Sequence, residues 1–145
     1  MPIWKLSHIS LEALQQQSKG TIDEHLGIEY LEIGDDYLKA RMPVDRRTRQ
    51  PMGLLHGGAY VVLAESMGSM SANLCLDISK EYALGLDINS NHIRSAREGW
   101  VVGIARPIHL GSKTQVWEIK IYDENEENLL NISRLTMMVL KHKIQ

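Results

Sequence analysis

The chain has a single cysteine, Cys75, in 145 residues, so no internal disulfide is available, which fits a reducing compartment. Phenylalanine is absent, leaving an aromatic-poor core. A formal net charge of -2 provides neither the basic field that nucleic acid requires nor an acidic tail, so no nucleic-acid partner is expected. Met1 to Lys5 has no apolar signal core, and no run approaches membrane-spanning length. A cytoplasmic protein without a membrane partner is expected. His8, His25, His56, His92, His109 and His142 keep no metal-ligand spacing, and Cys-x-x-Cys is missing, so no metal is expected. There is no Gly-x-Ser-x-Gly elbow, P-loop, repeat or linker. The whole chain, 1–145, therefore reads as one domain.

The stretch from Gln50 to Leu76 stands out. A loop with one proline and an early glycine runs into His56 and a Gly57-Gly58 pair, followed by about five turns of expected helix. Val61, Val62, Leu63, Ala64, Met67, Met70, Ala72, Leu74, Cys75 and Leu76 make it apolar on nearly every side, which predicts a buried helix. Its many glycines, alanines and serines would let other backbone approach closely. Glu65 is the one strongly ionisable side chain inside it, and burying a carboxylate is costly unless something pairs with it or uses it. Ser69 lies one turn on, on the same face. The free N–H groups of Gly57 and Gly58 can point at an oxyanion or a polarised carbonyl, and Gln50 adds an amide donor nearby. Glu65 lies about two turns into the helix, roughly 12 Å along the axis from His56, too far for both to act on one carbonyl within one chain. That spacing argues for a site shared across a two-fold dimer.

Around this helix, the alternation predicts strands over 28–33 and 37–44 joined at Gly34-Asp35-Asp36, then 82–93, 100–110, 115–122 and 129–140. Leu38, Ala40, Met42 and Val44 should share a buried face, as should Trp117, Ile119 and Ile121. In the third strand Leu84, Leu86 and Ile88 are placed on one face, which turns polar at Ser90 and His92 as if entering a site. Ser10 should cap a short helix, Thr21 to Glu24 matches a capping box, and Gly27 should end the second helix. The fold class is α+β: an antiparallel sheet of about six strands around one long helix. The uncovered face or the edges call for an oligomer or water. Arg46, Arg47 and Arg49 read as a solvated loop, with phosphate binding as the alternative. Gly111-Ser112-Lys113 reads either as a plain hairpin turn or as backbone donors and a cation for phosphate.

The runs 43–58, 63–69, 85–99, 107–112 and 115–119, with His-Gly-Gly and a Glu nine residues after that His at their core, closely resemble the bacterial hotdog-fold acyl-CoA thioesterases. The nearest branch is that of the enterobactin proofreading thioesterase and the 1,4-dihydroxy-2-naphthoyl-CoA hydrolase of menaquinone synthesis. The resemblance implies a hotdog fold and hydrolysis of an aryl or hydroxyaryl acyl-CoA, of which 1,4-dihydroxy-2-naphthoyl-CoA is one candidate, or of a carrier-protein thioester. It needs no cofactor, since CoA belongs to the substrate. It makes Glu65 the nucleophile or general base, Gly57 the carbonyl-polarising N–H, Gln50 and His56 the groups that position the thioester, and Ser69 the residue that orients water or carboxylate. It assigns Met70, Gly85, His92, Ile93, Arg94 and Ser95 to the acyl and CoA arm, and His109, Leu110, Gly111, Ser112, Lys113 and Thr114 to the nucleotide phosphates. It also implies a homotetramer built as a dimer of dimers. A hotdog-fold hydratase or dehydratase is the alternative enzyme, although its His-Phe-Pro-Gly type of loop is absent. A non-catalytic acyl-CoA-binding protein is the third reading, and Glu65 argues against it.

Overall fold

The computed structural model describes residues 1–143; the last two residues of the expected 1–145 domain lie outside the described residues. Two short helices, α1 (Leu11–Gln17) and α2 (Ile22–His25), lead into the hairpin β1 (Glu29–Ile33) and β2 (Leu38–Pro43). The long helix α3 (Gly57–Leu74) follows, then β3 (Glu81–His92), β4 (Trp100–Leu110), β5 (Thr114–Asp123) and β6 (Leu129–Lys141). The strands form one antiparallel sheet in the order β1-β2-β4-β5-β6-β3, so β3 leaves the sequential order to form an edge beside β6.

Local chemistry sets the element ends. Ser10 caps α1 by accepting the Ala13 N–H, and Gly27 takes φ 74° just after α2, a conformation that suits glycine. At α2 the capping box is shifted. Thr21 accepts the Asp23 N–H, while the Glu24 carboxylate accepts from Gly20 rather than from the cap residue itself. The long helix stops two residues early: Cys75 is its C-cap and Leu76 lies beyond. Half-burial pushes the Cys75 thiol up to about 11, so the lone cysteine is a poor thiolate.

The core lies between α3 and the facing side of the sheet. Leu38, Ala40 and Met42 of β2, Trp117, Ile119 and Ile121 of β5, and Leu135 and Met137 of β6 are all fully buried against Leu63, Ala64 and Met67 of α3. The small residues act as expected. A Cβ on Gly68 would come within 2.5 Å of Leu135 Cδ2, so helix and sheet approach closely only because that position lacks a side chain.

Two expectations need correction. The helix is not enclosed all round: Val61, Val62, Glu65, Ser66, Ser69 and Met70 are only half-buried, because one sheet covers one helix face. On β3, Leu84 and Leu86 do not share the inward face with Ile88; they are more than half exposed. The pairing Gly85↔Met137 is followed by Asp87↔Thr136, so Leu86 is the extra residue of a β-bulge. The bulge resets the alternation, and Ala83, Gly85, Ile88, Ser90 and His92 end up on the helix side. A period-2 reading carried through the bulge assigns the wrong face to everything before it.

Candidate active site

The predicted residues fall into three groups at different places on one chain. The first lies at the N-terminus of α3. Gln50, Gly57, Tyr60, His92, Ile93, Arg94 and Ser95 line one cleft there. The Gln50 side-chain oxygen accepts from the backbone N–H groups of Met52 and Leu54, tightening the loop, and its NH2 donates to nothing among the described residues. His56 is the N-cap of α3: its Nδ1 accepts the Gly58 N–H at 2.8 Å. This corrects the expectation of two free glycine donors. The Gly58 N–H is spent on the cap, and only the Gly57 N–H meets no acceptor among the described residues. It sits at the positive end of an 18-residue helix, where a carbonyl oxygen acquiring negative charge is stabilised.

The second group surrounds Glu65. Its carboxylate faces a separate cleft, shared with Ser69, Met70, Asn73 and the α1–α2 segment (Gln17, Ser18, Thr21 and Asp23 among them). No hydrogen bond or ion pair to Glu65 occurs among the described residues, and desolvation holds its carboxyl above the ordinary carboxylate range. Gly85 leaves room for it: a Cβ there would overlap Glu65 Oε1. Ser69 does not hold the carboxylate in this chain; its hydroxyl faces Met137 Sδ at 3.9 Å.

The third group is the β4–β5 turn. His109, Leu110, Ser112, Lys113 and Thr114 are exposed, and the Gly111 N–H is bonded to the Thr114 carbonyl at 2.9 Å. This turn and the Arg94 segment sit at opposite ends of β6. Arg94 donates its N–H to the Leu130 carbonyl, whereas Lys113 accepts from the Val139 N–H. Nine strand residues separate those anchors, about 30 Å. One chain therefore does not bring the two phosphate-binding candidates onto one phosphate. Arg46, Arg47 and Arg49 are exposed, as a solvated loop should be; Arg47 pairs with Asp45 at 2.7 Å, and Arg49 donates to the Arg97 carbonyl.

Behind the Gly57 cleft, Ser90 and His92 belong to a polar cluster whose other members, Asn131 and Ser133, were not among the predicted residues. Asn131 and Ser133 of β6 are buried, facing Ser90 and His92 of β3. Asn131 Nδ2 lies 2.9 Å from Ser90 Oγ and 3.0 Å from His92 Nδ1. Ser133 Oγ lies 2.9 Å from Asn131 Oδ1 and 2.8 Å from Ser90 Oγ. The available signal was the Asn-Ile-Ser alternation at 131–133, polar at inward positions of a central strand.

The model of the thioesterase superfamily matches residues 52–129, from the Gly57 loop through α3 to the start of β6. The chain belongs to that superfamily. Among its relatives is the 1,4-dihydroxy-2-naphthoyl-CoA hydrolase of Escherichia coli K12, 54% identical over 95% of this chain and 99% of that protein. The proofreading thioesterase EntH of Cronobacter turicensis is 49% identical over 95% of this chain and 98% of its own length. A crystal structure of a mutant of thioesterase PA1618 from Pseudomonas aeruginosa superposes with a TM-score of 0.93 at 46% identity, covering 97% of this chain and 99% of that one. Fold and family agree throughout, and the chain is an enzyme of the thioester hydrolase class. Among the described residues of this thioesterase, no helix is long and apolar enough to cross a membrane.

Proposed function

We propose that the chain hydrolyses an acyl-CoA thioester with an aryl or hydroxyaryl acyl group, at a site shared between two copies. The observation that carries the reading is Glu65, a half-buried carboxylate on an otherwise uncharged helix face, with no partner among the described residues and room kept for it by Gly85. The Gly57 N–H and the Gln50 amide take the thioester carbonyl. Glu65 removes a proton from water as the water oxygen bonds to the carbonyl carbon. The tetrahedral oxyanion collapses, the C–S bond breaks, and the thiolate takes up a proton to leave as free CoA. In the nucleophilic variant Glu65 itself forms the new C–O bond, and water then hydrolyses the mixed anhydride.

About 12 Å of helix separates the Gly57 donor from Glu65, which supports a donor loop from one copy working with Glu65 of a second. The half-buried face of α3 and the open edge of β3 are the surfaces available for that pairing, and the separation of Arg94 from Lys113 also suits a substrate held by more than one chain. A dimer of dimers in the cytoplasm is the assembly proposed. The 1,4-dihydroxy-2-naphthoyl-CoA acted on by the E. coli relative is the first substrate to try. Free-thiol release from aryl-CoA, fatty acyl-CoA and carrier-protein thioesters tests the reading. Fastest turnover on aryl-CoA is expected; no thiol release from any thioester in the panel would reject it.

A further inference from the structure

Inward positions along β3 and β6 are apolar or small near Gly85, with Ala83, Leu135 and Met137 buried there. Towards the Gly57 end four successive inward positions turn polar: Ser90 and His92 on β3, Ser133 and Asn131 on β6. Asn131 and Ser133 are buried, Ser90 is half-buried and His92 is exposed; buried polar groups on a sheet cost desolvation unless their hydrogen bonds close. Here they close. Asn131 Nδ2 donates to Ser90 Oγ, and the Ser133 hydroxyl lies within hydrogen-bond reach of both Asn131 Oδ1 and Ser90 Oγ. The second Asn131 N–H is left for His92 Nδ1 at 3.0 Å. An imidazole nitrogen that accepts carries no hydrogen, so the neutral ring is protonated on Nε2. That atom faces the active-site glycine: a Cβ on Gly57 would lie 2.8 Å from His92 Nε2. The Tyr60 ring flanks the imidazole with centroids 5.6 Å apart.

We infer that Asn131 is a positioning residue for the reaction, holding His92 as the Nε2–H tautomer and aiming that N–H into the space beside the Gly57 N–H. The inference rests on the thioesterase reading of the cleft. His92 then supplies a second donor to the thioester oxygen or to the departing sulfur.

The test reads the tautomer directly. In protein labelled with 15N-histidine, the neutral His92 ring should show a protonated Nε2 and a bare Nδ1. Asn131→Asp replaces the amide with a group that only accepts, so the hydrogen should move to Nδ1 and kcat should fall by about 100-fold, the lower end of the range for losing one donor, with KM changed much less. Asn131→Ala, which removes the donor without supplying an acceptor, should give a mixture of tautomers and an intermediate kcat; it carries the same comparison if the Asp variant does not fold. An Nδ1–H ring in the wild-type protein overturns the inference, as does a variant that moves the hydrogen and keeps full kcat. Absence of any thioester hydrolysis would instead reject the functional reading, because the tautomer is read without substrate.

Discussion

Gly85 on β3 lies against the carboxylate of Glu65 on α3, so closely that a Cβ at position 85 would overlap Glu65 Oε1. The atom displaced is the tip of a flexible side chain, so Gly85→Ala should leave the fold intact and swing the carboxylate aside. A misplacement of about 1 Å at a reacting group can cost about 100-fold. The expected result is a kcat lowered by about 10-fold or more with a nearly unchanged Tm; wild-type kcat in Gly85→Ala would mean that the carboxylate does not need its present position.

Removing the charge of Glu65 should be more severe. Glu65→Gln keeps the size and loses the base or nucleophile, so kcat should drop by at least ~100-fold. A correctly folded Glu65→Gln protein that turns over at the native rate would end the assignment.

The raised Glu65 carboxyl also predicts two pH effects. Catalysis needs the ionised form, so activity should fall as pH drops through a midpoint above the ordinary carboxylate range, and that limb should vanish in any residual activity of Glu65→Gln. For stability the sign is opposite to that of a salt-bridged acid. A folded-state pKa above the unfolded one means the folded chain binds more protons, so stability is lost as pH rises through that window. At neutral pH the charge therefore opposes folding slightly, with solvent screening keeping the effect small. Thermal melts should show Glu65→Gln with a Tm at or above the parent at pH 7, and the advantage should disappear in acid.

Subunit complementation tests the shared site. Glu65→Gln copies mixed with Gln50→Ala or His56→Ala copies should regain activity on reassembly, because each mixed dimer holds one site with neither lesion. About a quarter of wild-type activity is expected in an equal random mixture of dimers. If mass measurement shows exchanged subunits without activity, each site is built from a single chain.

Arg94 and Lys113, some 30 Å apart along β6 in one chain, should each affect CoA esters through KM rather than kcat. Arg94→Ala and Lys113→Ala should behave like the parent on a thioester truncated to its pantetheine arm. Equal losses on the truncated and full substrates would remove the phosphate role. Arg94 also donates to Asn128 Oδ1 at 3.2 Å, so a melt of Arg94→Ala checks that any loss is not structural.

What the sequence determined by itself was whatever depends on short separations along the chain. The helix from Gly57, the cap at Ser10, the stop at Gly27 and the inward faces of 38–44 and 117–121 follow from a 3.6- or 2-residue period and from turn chemistry, and all of them stand in the structure. Glu65 was conspicuous for the same local reason, as the one charge in an apolar helix. The tertiary structure decided what depends on register and on partners distant in sequence. Leu86 bulges out of the β3–β6 ladder and turns Leu84 to the outside, which no period-2 count could reveal because the extra residue is defined only against Thr136 and Met137. His56 uses the Gly58 N–H for its own cap, leaving one donor instead of two. Asn131 meets His92 across two strands 39 residues apart in sequence, and the same ladder carries Arg94 and Lys113 to opposite ends of the sheet. Periodicity encodes which way a side chain faces; which side chain it finally meets is set by the pairing of whole strands.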